Sequence, residues 1–121
     1  MRNPPATHAA MMLQRFADAY IVEFMQSSIT DQATIARIGD DLLKLIEGMG
    51  HPRVVVSFEN VHNISSAMLG ALISAQKKAK AGGGEVRLAA LTPTLQELFR
   101  ITALNKVFKI YDTTEKAMVK F

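Results

Sequence analysis

The chain has 121 residues, 49% hydrophobic and 21% charged, which suits one globular domain with its own core. It contains no cysteine, which removes disulfides, thiolate nucleophiles, Cys-based zinc sites and iron–sulfur clusters. The net charge of +3 invites a nucleic-acid reading. However, Lys77, Lys78 and Lys80 sit at the end of an expected helix and carry no interleaved aromatic residues, so direct nucleic-acid binding is not expected.

Residues 1–11 read as a flexible lead-in. Met1-Arg2-Asn3-Pro4-Pro5 lacks the basic-then-apolar order of a secretory signal, and no stretch approaches the ~20 apolar residues that span a bilayer. The expectation is a cytoplasmic chain with no membrane insertion. Residues 13–16 and 19–25 read as two short strands with a tight turn around Ala17 and Asp18; Tyr20, Val22 and Phe24 alternate with Ile21 and Glu23. Thr30 or Asp31 can cap the next helix, where Ile35, Ile38, Leu42, Leu45, Ile46 and Met49 form one stripe. Gly48, Gly50 and Pro52 end it.

Residues 53–58 form a β-branched run with apolar side chains on both faces, as a buried parallel strand requires. A polar connection over 59–64 leads to Ser65 and a helix whose inner face carries Met68, Leu69, Leu72, Ile73 and Gln76. Gly82-Gly83-Gly84 breaks that helix before a strand over 85–91. Thr92-Pro93 opens a third helix with Leu95, Leu98, Phe99 and Thr102 in register, and Asn105 is the expected left-handed end. A strand over 107–111 and a short helix over 113–120 follow. The order β-β-α-β-α-β-α-β-α over residues 12–121 predicts a single α/β domain, a mostly parallel four- to five-stranded sheet with helices packed on it.

The parts of an enzyme are missing. His8, His51 and His62 are scattered over a tail, a turn and a loop, and no carboxylate cluster has metal-ligand spacing. The triple glycine leads into a strand rather than a helix, so it lacks phosphate-cradling geometry. Ser65 or Ser66 with His62 would need flanking glycines to make a nucleophile elbow, and Asn63 and Ala67 stand there instead. No orienting acid for His62 can be named. Neither catalysis nor a cofactor or metal is expected.

Ser65, taken alone, is an N-cap worth about 1 kcal/mol. Its surroundings carry more. The run from Val54 to Leu72, with Ser65-Ser66-Ala67-Met68-Leu69-Gly70 at a helix start, resembles the signature of the STAS family: a hydrophobic strand, a loop, then Asp-Ser-Ser-Gly-Leu-Gly or a variant opening a helix. Gly82 to Val86, Leu91-Thr92-Pro93, Leu98-Phe99, Thr102-Ala103-Leu104 and Phe108 follow the family in order, so the likeness spans about 12–120. The resemblance implies an anti-sigma factor antagonist acting by partner switching. The first serine of the pair, Ser65 (second choice Ser66), would be phosphorylated by an anti-sigma factor with serine kinase activity and restored by a serine phosphatase. The unphosphorylated form would bind the anti-sigma factor through Asn60, His62, Asn63, Ile64, Ser65, Ser66, Met68 and Leu69. Ile64 departs from the acidic or amide residue expected before the serine, and Ala67 from the glycine after the pair. The resemblance equally allows a non-switching interaction module in a signalling assembly or lipid-transport complex.

Overall fold

The computed structural model describes residues 11–16, 18–119 and 121. The expected lead-in therefore lies outside the described residues except for Met11, as do His8, Ala17 and Lys120. Met11 is wholly buried and begins the first strand instead of ending a tail.

β1 (Met11–Phe16) and β2 (Ala19–Phe24) pair antiparallel, with Met11 opposite Phe24 and Phe16 opposite Ala19. β3 (Ser28–Ile29) precedes α1 (Gln32–Glu47), then come β4 (Arg53–Ser57), β5 (Asn63–Ile64) and α2 (Ser66–Ala81). β6 (Glu85–Ala89), α3 (Pro93–Ile101), a 3-10 turn over Leu104–Lys106, β7 (Ile110–Tyr111) and α4 (Thr114–Met118) complete the domain. The main sheet runs β1-β2-β4-β6-β7, and every pair after the first is parallel.

α1, α3 and α4 each start at a side-chain cap. Asp31 Oδ2 accepts from Thr34 N at 2.8 Å, Thr92 Oγ1 from Leu95 N at 3.2 Å and Thr113 Oγ1 from Lys116 N at 3.1 Å. Ile35, Ile38, Leu42 and Ile46 of α1 are buried, while Leu45 and Met49 pack at its margin. These side chains join Val22, Val54, Val56, Leu72, Val86 and Leu88 in one core on the face covered by α1–α3. Phe24, Phe58, Phe99 and Phe108 run through it with ring centroids 5.4, 6.4 and 6.3 Å apart, in tilted and edge-to-face pairs. The other sheet face holds a smaller cluster of Ile21, Val55, Ala89 and Ala117 under α4.

The triple glycine earns its place twice. Gly83 has φ +84°, and a Cβ on Gly84 would meet the Pro52 carbonyl oxygen at 1.7 Å, because β6 enters directly against the chain before β4.

Three expectations at the C-terminal end are corrected. The left-handed residue after α3 is Ala103, at φ 61°, and not Asn105, which lies inside the 3-10 turn. The strand expected over 107–111 shrinks to Ile110–Tyr111. Its place beside Val86 is taken by buried Gln76: Oε1 accepts from Val86 N at 2.7 Å, and Nε2 donates to the carbonyls of Val86 and Val107 at 3.1 and 3.0 Å. A side chain thus satisfies backbone that a longer strand would have paired. The closing helix is five residues long.

Candidate functional site

The segment before α2 is tied down on both sides. Phe58 N donates to Ala89 O at 3.0 Å and Val61 N to Phe58 O at 3.0 Å, turning the chain as it leaves β4. His62 N and Asn63 N then both donate to Ser27 O, at 2.7 and 3.3 Å. β5 runs parallel to β3, with Ser28 opposite Asn63 and Ile29 opposite Ile64, and Ser65 N donates to Ile29 O at 3.2 Å. Asn63 Nδ2 donates to Ser28 Oγ at 3.4 Å across the outer surface. The loop after β2 and the loop after β4 therefore form one short ladder that presents the start of α2.

This ladder sorts the eight residues singled out from the sequence. Asn60, His62, Asn63 and Ser66 are exposed. Met68 is wholly buried, and Ile64 and Leu69 are 7% and 8% exposed, all within the main core. Their assignment to an accessible docking surface is corrected: parallel pairing with β3 turns Ile64 inward, and helical spacing sets Met68 and Leu69 beside Leu72. These side chains hold the surface from beneath.

The two serines differ sharply. Ser65 occupies the N-cap position with extended backbone (φ −91°, ψ 168°), and its carbonyl accepts from Met68 N at 3.0 Å. Its Oγ is enclosed and has no hydrogen-bond partner among the described residues, so the expected side-chain cap is not made. Ser66 stands exposed in the first turn, where no acidic residue competes for the free N–H groups and the positive end of the helix dipole. Among the described residues no hydrogen bond joins the His62 ring to either serine, and no group of three or more His, Asp or Glu side chains could hold a metal. Nearby, Asp31 is held below the usual carboxylate range, chiefly by the Thr34 backbone N–H.

Sequence reasoning missed the second loop. Met25, Gln26, Ser27 and Ser28 are exposed, and Ser27 and Ser28 hold the ladder together. The available signal was a polar run between the apolar end of β2 and buried Ile29.

A match to the STAS domain extends over residues 14–117, and the chain belongs to that family. A Thermotoga maritima protein named as a candidate anti-sigma factor antagonist is 28% identical over 69 residues. That alignment covers 57% of this chain and spans only 61% of the relative's own length. Among solved structures, an anti-sigma-factor antagonist (STAS) domain protein from Planctomyces limnophilus superposes with a TM-score of 0.81 at 19% identity, covering 88% of this chain and 93% of that one. The anti-sigma factor antagonist SpoIIAA in its unphosphorylated form gives 0.75 at 17%, covering 90% and 93%. The murine Slc26a9 anion transporter gives 0.71 at 11%, covering 88% of this chain and 18% of the transporter. At these identities the structural likenesses establish the fold alone.

Proposed function

We propose that the chain is an anti-sigma factor antagonist that works by partner switching in the cytoplasm, with Ser66 as the phosphate acceptor. The observation that carries this reading is the contrast at the start of α2, where one serine hydroxyl is enclosed and the next is exposed. A kinase must bring the acceptor hydroxyl in line with the γ-phosphoryl of ATP, and an enclosed Oγ cannot be reached without opening the loop.

The motif agrees once it is shifted by one residue. With Ser65 in the place of the family's aspartate, Leu69-Gly70 falls on the closing Leu-Gly of Asp-Ser-Ser-Gly-Leu-Gly, and the mismatch at Ile64 disappears. The register that made Ser65 the acceptor loses both. Ser65 in place of the aspartate, Ala67 in place of the second serine and Met68 in place of the glycine remain departures.

Phosphate on Ser66 would bring about −1.5 to −2 charges to free helix N–H groups, so the fold tolerates it. The same charge beside Asn60, His62, Asn63 and the Met25–Ser28 loop would repel a partner seated there. The partner is an anti-sigma factor with serine kinase activity, and a serine phosphatase resets the switch. Affinity capture from a native lysate tests this. Wild type and Ser65→Ala should retain the same anti-sigma kinase, and Ser66→Asp should lose it. Equal retention by all three would leave a non-switching interaction module.

A further inference from the structure

The two sheet faces are unequally covered, and the difference leaves a groove. α4 lies over β4, β6 and β7, while the outward side chains of β1 and β2 stand beside it. Phe16 and Met12 of β1 are 59% and 44% exposed, although they lie on a sheet face. Between this half-face and α4 runs a groove of about 510 Å³ lined by Phe16, Ile21, Met118, Glu23, Glu59 and Glu115, among others.

Strand register gives the groove two chemically different ends. Phe16 pairs with Ala19 at the turn, Gln14 with Ile21 in the middle, and Glu23 with Met12 at the far end. Phe16 and Ile21 therefore make an apolar end. Glu23 lies at the other, where β2, β4 and β7 deliver their C-termini with Glu59 and the 112–115 segment. Among the described residues no cation pairs with Glu23, Glu59 or Glu115, while Asp112 is met by Lys116 at 3.7 Å. Glu115 stands in the first turn of α4, where the helix dipole favours a carboxylate, which leaves Glu23 and Glu59 as the two without a compensating partner among the described residues. They do not converge as a metal site. Cationic groups that met them would be spread along the groove, not gathered at one point.

We infer that this groove docks an extended segment of a partner protein, with an apolar side chain and basic side chains on one side of the segment. Alternate residues of an extended chain face the same way about 6–7 Å apart, the spacing that carries a segment from Ile21 to Glu23. The carboxylates supply the charge complementarity, and Phe16, Ile21 and Met118 supply the apolar seat. None of the residues lining the groove belongs to the start of α2, so docking there does not depend on modification of Ser66.

The test is an amide chemical-shift titration of the unmodified chain with the blocked peptide acetyl-Leu-Ser-Arg-Ser-Arg-amide, against its counterpart with both arginines replaced by glutamate. Shifts should centre on Gln14, Phe16, Ile21, Glu23 and Glu59. The double variant Glu23→Gln/Glu59→Gln should bind about fivefold more weakly, the size expected for two exposed ion pairs. Asp40→Asn/Glu47→Gln, with the same charge change on α1, should bind as wild type, and so should Ser66→Asp. No shifts, shifts centred on the α2 start, equal binding of the acidic peptide, or an unaffected Glu23→Gln/Glu59→Gln variant would each overturn the inference.

Discussion

On one face of the sheet, α1–α3 bury alternate residues of β2, β4 and β6 in a continuous core threaded by four phenylalanines. On the other, a five-residue helix covers Val55 and Ala89 and leaves Met12 and Phe16 exposed. The polar chemistry of the second face is also different. Arg87 is buried there, donating to the carbonyls of Ala117 and Val119 at 2.9 and 2.8 Å and lying over the Phe121 ring at 4.3 Å. The first face is held mainly by volume, the second by a small apolar cluster and one buried cation. The first face stabilises the domain and carries the rigid start of α2; the second is left free to bind.

Substitutions should follow that division. Leu72→Ala, on the first face, should cost about 3–4 kcal/mol in urea unfolding, since it opens a cavity among residues with no exposure. A loss under about 1 kcal/mol would mean the core collapses around it. Arg87→Met keeps much of the volume but strands two carbonyls, and should cost about 2 kcal/mol.

The Arg87 site also predicts a pH dependence. Burial pushes the Glu85 carboxyl up, but the Arg87 hydrogen bond and charge, with Lys109 and Lys80, hold it below its ordinary value of 4.5. A lowered folded-state pKa contributes stability above the unfolded value, and that contribution fades as pH falls through the folded one. The stability gap between wild type and Glu85→Gln should therefore be full at pH 7 and shrink below about pH 4.5. A gap that stays constant down to pH 3 would remove the pair from the account.

Smaller effects separate the caps. Thr92→Ala should cost about 1 kcal/mol, because Thr92 Oγ1 caps α3. Ser65→Ala should stay within about 0.5 kcal/mol, because Ser65 Oγ makes no bond to lose. Phe16→Ala on the open half-face should be as mild.

Much of this was legible in the sequence, for identifiable reasons. The stripe from Ile35 to Ile46, the β-branched run at 53–58 and the Thr92-Pro93 start are long or chemically specific signals, and each became the expected element. The β3–β5 ladder was not legible, because two-residue strands are too short to show a period. Gln76 looked like one more inner-face residue, and only the structure shows it replacing a strand. The proposed acceptor, Ser66, is the second of the two serines to which the resemblance pointed. A serine after a loop looks the same in sequence whether its hydroxyl caps the helix or is closed in.

The most direct test of the central claim is site-resolved mass spectrometry after incubating the chain with ATP and its captured anti-sigma kinase. The account predicts one phosphate on Ser66, retained in Ser65→Ala and abolished in Ser66→Ala. Phosphate on Ser65, or none on either serine while the kinase stays bound, would contradict it.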